Sequence, residues 1–156
     1  MREIKHIVIH CSAGYGDRKS IEKFWKETLG WKVPGYHFLI EQDGTVHKLA
    51  ALESVTNGVK GFNTSSIHIC YIGGVDPKNV KRAMDSRTDA QKAGLINCIR
   101  ESLEWAKQHQ GVRNVKILGH RDFSPDKNGN GVIEPWERIK ECPSFDAILE
   151  YQWMMI

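Results

Sequence analysis

Apolar residues fall along this chain in short runs, and their spacing switches between the two-residue repeat of a strand and the 3.6-residue repeat of a helix. Residues 4–11 are apolar on both faces and predict a central strand. From Ser20 to Leu29 the spacing predicts a helix: Ser20 caps it, Ile21, Phe24, Trp25 and Leu29 share a face, and Gly30 stops it. Residues 36–41 and 45–49 predict a hairpin around Gln42-Asp43-Gly44, and Ile67 to Ile72 predicts a strand ended by Gly73-Gly74. The longest helix runs from about Asp89 to His109. Thr88 and Gln91 have capping-box spacing, Leu95, Ile96, Ile99, Leu103 and Ala106 form its core stripe, and Gly111 ends it. Residues 115–118 return as a strand. Strands interspersed with helices predict an α/β fold, a central mixed sheet flanked by helices, with strand ends free to carry functional side chains.

The 156 residues contain no repeat or low-complexity linker, so a single domain spanning 1–156 is expected, working as a monomer. A net charge of +3 with no long Lys/Arg block gives no sign of a nucleic-acid partner. No run approaches the roughly 18 apolar residues of a membrane span, so membrane insertion is not expected. Only Met1-Arg2-Glu3 precede the first apolar run, leaving no room for a signal-peptide core; the chain is expected to be made in the cytoplasm. The four cysteines have no paired spacing. Cys11, Cys70 and Cys98 sit in apolar runs as small core residues, whereas Cys142 lies among polar residues.

His10 ends one apolar run, His120 follows another, and Cys142 precedes Pro143. Two imidazoles and a thiolate make a plausible catalytic zinc set, with a fourth position left for water. Neighbours on a strand face opposite ways, so His10 is assigned to the metal and Cys11 to the core. Pro143 pushes Cys142 into an extended conformation, which directs Lys140 and Cys142 to one side.

Several short words extend this reading. They are Val8-Ile9-His10-Cys11-Ser12-Ala13, Gly35-Tyr36-His37-Phe38-Leu39-Ile40 and Asp43-Gly44-Thr45-Val46. Lys60-Gly61-Phe62-Asn63, Tyr71-Ile72-Gly73-Gly74-Val75-Asp76, Gly119-His120-Arg121-Asp122 and Cys142-Pro143-Ser144-Phe145-Asp146 follow in order. Together they resemble the zinc-dependent N-acetylmuramoyl-L-alanine amidases, notably the short phage enzymes that share a fold with peptidoglycan-recognition proteins. The likeness runs from about residue 4 to about residue 150. It implies hydrolysis of the amide between muramic acid and L-alanine, with Zn2+ on His10, His120 and Cys142. It also implies that Tyr36 orients or deprotonates water and that Lys140 stabilises the oxyanion. His37 is expected to pack or to support the site from behind. Asn63 and Ser65, before the Ile67 strand, are candidate contacts for glycan or peptide. The chain departs from many relatives in having Asn57-Gly58-Val59 where they carry a histidine, and His68 where they often carry glycine. Two alternatives share the fold: a binding-only peptidoglycan sensor and a cytoplasmic enzyme recycling soluble muropeptides. A phage or prophage endolysin acting on the wall after release is the preferred setting. A zinc nucleobase deaminase needs a His-x-Glu and a Cys-x-x-Cys word, and the chain has neither.

The segment 126–137 resembles the calcium loop of an EF-hand. Asp126, Asn128 and Asn130 take its first, third and fifth places, and Gly131 makes the turn. Val132 supplies a backbone oxygen, Glu134 follows, and Glu137 takes the bidentate twelfth place, so Ca2+ is a second expected ion. An ion there is expected to order the connection leading into Lys140 and Cys142.

Overall fold

A computed structural model of the chain describes residues 2–111 and 114–155. Strand β1 (His6–Cys11) lies between β4 (Ser66–Tyr71) and β7 (Lys116–Gly119), parallel to both. Strand β2 (Phe38–Ile40) runs parallel to β4 and forms an antiparallel hairpin with β3 (Val46–Lys48). The resulting five-stranded sheet has the order β3-β2-β4-β1-β7, a mixed sheet with helices on its faces.

Alternation gives the two faces different work. Ile7, Ile9, Ile67, Ile69 and Ile117 meet Leu95 and Ile99 of the long helix in the main core. Each buried isoleucine removes enough apolar surface to contribute about 1.5–3 kcal/mol. That helix, α2 (Asp89–Gln110), carries the expected reciprocal cap: Thr88 Oγ1 accepts the Gln91 N–H and Gln91 Oε1 accepts the Thr88 N–H, both at 3.1 Å. It stops at Gly111, whose φ of 77° is costly for a residue with a side chain. On the opposite face Leu39, Cys70 and Ile72 form a smaller cluster with Ile21, Tyr36 and Leu49. His10 and His68 also stand on this second face, in step with Cys70 and buried.

Three details differ from the sequence expectations. Helix α1 (Arg18–Lys23) is capped by Asp17, whose Oδ1 accepts the Ser20 N–H at 2.9 Å, so Ser20 lies inside the first turn. It continues as a wider turn over Phe24–Thr28 that buries Trp25 and leaves Phe24 and Leu29 largely exposed, so the expected four-residue stripe does not pack as one. Two further elements come from stretches with no apolar period. They are the hairpin of β5 (Val75–Asp76) and the exposed β6 (Asn79–Ala83), and the short helix α3 (Ala147–Tyr151), capped by Asp146 beside β7. Among the described residues no helix is long and apolar enough to cross a membrane.

Candidate metal centre and active site

The parallel strands β1 and β7 end side by side, Ile9 opposite Gly119, and this brings two distant histidines together. His10 is the last residue but one of β1 and is buried on the face away from α2. His120 opens a tight turn over His120–Phe123, which Asp122 braces by accepting the Gly119 N–H at 2.7 Å. The two imidazole centroids lie 4.9 Å apart.

The third donor arrives from a later connection that is tied down at several points. The Arg121 N–H donates to Cys142 O (2.8 Å), the Cys11 N–H donates to Cys142 Sγ (3.1 Å), and Tyr71 Oη donates to Pro143 O (2.6 Å). Glycine at 119 makes room for Pro143, since a Cβ there would sit 2.6 Å from Pro143 Cδ. Cys142 Sγ thereby stands 3.9 Å from His10 Nδ1, and the ligand atoms of His10, His120 and Cys142 all lie within 4.8 Å of one another. Bonds of roughly 2.0–2.3 Å to a tetrahedral ion need donors about 3.3–3.7 Å apart, so small side-chain rotations close the set. Cys11 points the other way, into the core beside α2.

The protonation states suit a cation. Burial first, then the neighbouring charges of His68, His120 and Lys140, holds His10 well below the ordinary histidine range. Burial and Lys140 bring His120 down to about 4. Both rings are therefore neutral at pH 7 and need lose no proton to bind a metal. Burial pushes the Cys142 thiol well up, so its proton is the one a metal must displace. A soft thiolate with two imidazoles in a desolvated pocket is the donor chemistry of zinc, and the residues present fit that ion.

Tyr36 and Lys140 flank this set. The Tyr36 ring packs 4.9 Å from His10 and edge-on to Trp25 at 5.4 Å, where Gly35 allows Trp25 to approach closely. Burial, then the thiols of Cys70 and Cys142, holds the Tyr36 phenol well above the usual tyrosine range. Lys140 is exposed and lines, with His120, a groove of about 540 Å3. Trp31, Phe62 and Phe123 give the groove aromatic walls, and Asn57, Lys60 and Asn63 give it polar ones.

Other expected residues fare differently. Asn63 lines the groove, but its Oδ1 is engaged by the Val59 N–H (2.7 Å) and by His68 Nε2 (2.9 Å). Ser65 is not among the residues lining it. Its hydroxyl donates to Phe62 O at the start of β4, while the metal set lies at the other end of the parallel strands. His37 is buried behind the site, as expected: its Nδ1 accepts the His68 N–H (3.0 Å) and its Nε2 meets Ser54 O (2.8 Å). The sequence had given His68 no role, yet its Nδ1 stands 2.9 Å from His10 Nε2. No local motif marked His68; its partners Asn63 and His10 come from other segments that the sheet brings together.

The 126–137 loop curls on itself. Asp126 accepts the N–H groups of Gly129 and Gly131, Asn128 accepts that of Asn130, and Asn130 accepts that of Val132. The Asn128 and Asn130 amides converge on the Glu134 carboxylate. Glu137, expected to be a bidentate ligand, is buried with Oε1 taken by the Lys127 and Asn128 N–H groups and Oε2 by the Glu134 N–H. It closes the turn by holding backbone donors.

A mixed α/β domain with a His-His-Cys set beside an aromatic groove defines the class of small metal-site hydrolases. Residues 1–143 match the family model described as N-acetylmuramoyl-L-alanine amidase, and the chain belongs to this family. It is an enzyme of that kind, a peptidoglycan amidase. The endolysin of Klebsiella phage KP32 is 32% identical over 150 residues, covering 93% of this chain and 83% of the relative. Among solved structures, PGRP-SA of Apis mellifera superposes with a TM-score of 0.70 at 17% identity, covering 97% of this chain and 83% of that one. The N-acetylmuramoyl-L-alanine amidase LysC of Clostridium intestinale gives 0.68 at 20% identity, covering 98% and 86%.

Proposed function

We propose that this enzyme is a zinc-dependent amidase that cuts the bond between the lactyl carboxyl of N-acetylmuramic acid and L-alanine, in the setting of a phage or prophage endolysin. The observation that carries the reading is the convergence of His10, His120 and Cys142 from three separate segments, with the Tyr36 ring packed against His10 and Lys140 in the groove wall beside His120. The name of the Klebsiella phage relative supports the setting.

Bound at this set, zinc would supply a Lewis acid and a water acidified toward neutral pH. The chain's own residues do the rest. The water oxygen bonds to the lactyl carbonyl carbon as the water gives up a proton, the C–N bond breaks, and that proton passes to the departing alanine nitrogen. Tyr36 orients the reacting water or takes its proton, the two roles the family resemblance implies for it. The Lys140 ammonium reaches in from the groove wall to meet the charge that develops on the carbonyl oxygen. Trp31, Phe62 and Phe123 offer flat apolar faces to sugar rings and exclude water from one side of the reacting bond. All five residues belong to one chain, which supports a monomeric enzyme.

Digestion of purified sacculi tests this reading. The expected products are new alanine amino termini without new reducing sugars, together with about one zinc per chain by metal analysis. Faster turnover on soluble muropeptides than on sacculi would move the enzyme to the recycling role, and binding without any cleavage would make it a sensor. Calcium in the 126–137 loop is a further proposal supported by the order of its oxygen-bearing residues. An ion there would have to displace the backbone donors that now hold Glu137.

A further inference from the structure

We propose that His68 and Asn63 are positioning residues for the metal ligand His10, and that Gly58 exists to give the His68 ring its place. The inference rests on the metal reading above and adds two side chains to it.

The chain of contacts has a direction that can be read from its far end. The Val59 N–H can only donate, so the Asn63 atom that meets it at 2.7 Å is an acceptor, the amide oxygen. That same oxygen lies 2.9 Å from His68 Nε2, which must therefore carry a proton. Within a buried, uncharged imidazole the other nitrogen is then an acceptor. His68 Nδ1 lies 2.9 Å from His10 Nε2, so His10 carries its proton on Nε2. Its Nδ1 keeps a free lone pair, and Nδ1 is the atom that faces Cys142 Sγ at 3.9 Å. A backbone amide at residue 59 thus sets, through two side chains, which nitrogen of His10 is offered to the ion.

Space makes the arrangement specific. A Cβ at residue 58 would lie 2.2 Å from His68 Nδ1 and 2.3 Å from its Cγ, far inside van der Waals contact with the ring. Gly58 has no left-handed backbone angle to explain it, so its bare Cα is needed for room alone. Gly58 and His68 therefore form one device. The imidazole that stands behind His10 comes from β4, and the bare Cα of Gly58 in the loop leaves room for it.

Zinc affinity, measured by competition with a chelating dye, tests this in the full chain alongside Cys142→Ser. His68→Ala is expected to weaken zinc binding by about ten- to a hundredfold, the scale for lost partners of metal-bound histidines. His68→Asn, whose amide oxygen replaces the Nδ1 acceptor, is expected to restore most of it. Gly58→Ala is expected to weaken binding as His68→Ala does, and to have no further effect in the His68→Ala background. Nitrogen-15 NMR of the zinc-loaded native chain should show His10 protonated at Nε2 and His68 at Nε2, a readout that needs no variant to fold. Native zinc affinity in His68→Ala, or a His10 protonated on Nδ1, overturns the proposal. A native chain that binds no zinc, or a Cys142→Ser variant that binds it fully, overturns the metal reading instead.

Discussion

The metal set and the 126–137 loop are both dense in residues that ligate ions, yet they are built on opposite principles. His10, His120 and Cys142 come from three distant segments and aim donor atoms at one point, with hydrogen bonds fixing the elements that carry them. In the loop, the oxygens of Asp126, Asn128, Asn130 and Glu137 are already turned to backbone N–H groups a few residues away. A site needs lone pairs that the chain itself does not use; a good turn uses them all. Ligand-type residues in a row are thus weaker evidence for an ion than ligand-type residues gathered from afar.

The sharpest way to break this contrast is Cys142→Ser. Replacing the thiolate by a neutral hydroxyl is expected to remove detectable turnover and most bound zinc. Full zinc content in that variant would show that the gathered set is not the metal site. Next come Tyr36→Phe and Lys140→Ala, each expected to lower kcat by about a hundredfold or more while zinc content stays native. Near-native kcat in both would leave the groove without its assigned chemistry.

Acid should strike the two regions unequally. Burial holds His37 down to about 4 in the folded chain, against an ordinary 6.5 when unfolded. Between those values the unfolded chain binds a proton that the native one refuses. His37 therefore costs nothing above about pH 6.5, and the penalty grows as pH falls toward about 4, reaching about 3 kcal/mol. Urea denaturation across that window checks it, and His37→Gln should reduce the slope, leaving the part that the other depressed imidazoles, His10, His68 and His120, contribute. The loop has no buried imidazole and should not add to this loss. Its own probe is Glu137→Gln, expected to cost about 1–3 kcal/mol in stability while zinc binding is untouched. The smallest effect belongs to calcium. Because the loop is already closed, millimolar calcium should raise the melting temperature by only a few degrees at most. Trp136, 61% exposed inside the loop, should sensitise terbium emission if a lanthanide enters. Silence there would leave a plain turn.

How much of this was legible in the sequence depends on distance along the chain. The α2 boundaries were readable because Thr88, Gln91 and Gly111 act on their immediate neighbours. The central strand and the opposite orientations of His10 and Cys11 followed from period-two alternation. Asp17 and Ser20, three residues apart, are equally good capping types, so the sequence alone does not choose between them; the Ser20 N–H bond to Asp17 Oδ1 does. The hairpin of β5 and β6 has no buried stripe to announce it. His68 was invisible for another reason: its meaning lies in Gly58, Asn63 and His10, which only the sheet brings together. Ser65 looked like a substrate contact because it lies near Asn63 in sequence, but it falls at the wrong end of a parallel strand.

The 132 positions separating Cys142 from His10 also set an order in time. A ribosome releases β1 and the His10 imidazole long before the thiol, and His120 and Lys140 only shortly before it. A nascent or nicked chain that stops short of residue 142 holds every strand of the sheet but only two donors. Wall-cutting capacity therefore switches on at one late moment of synthesis rather than growing with the chain. Comparing zinc uptake by ribosome-bound chains arrested with Cys142 inside or outside the exit tunnel would show that step, and equal uptake by the two would remove it.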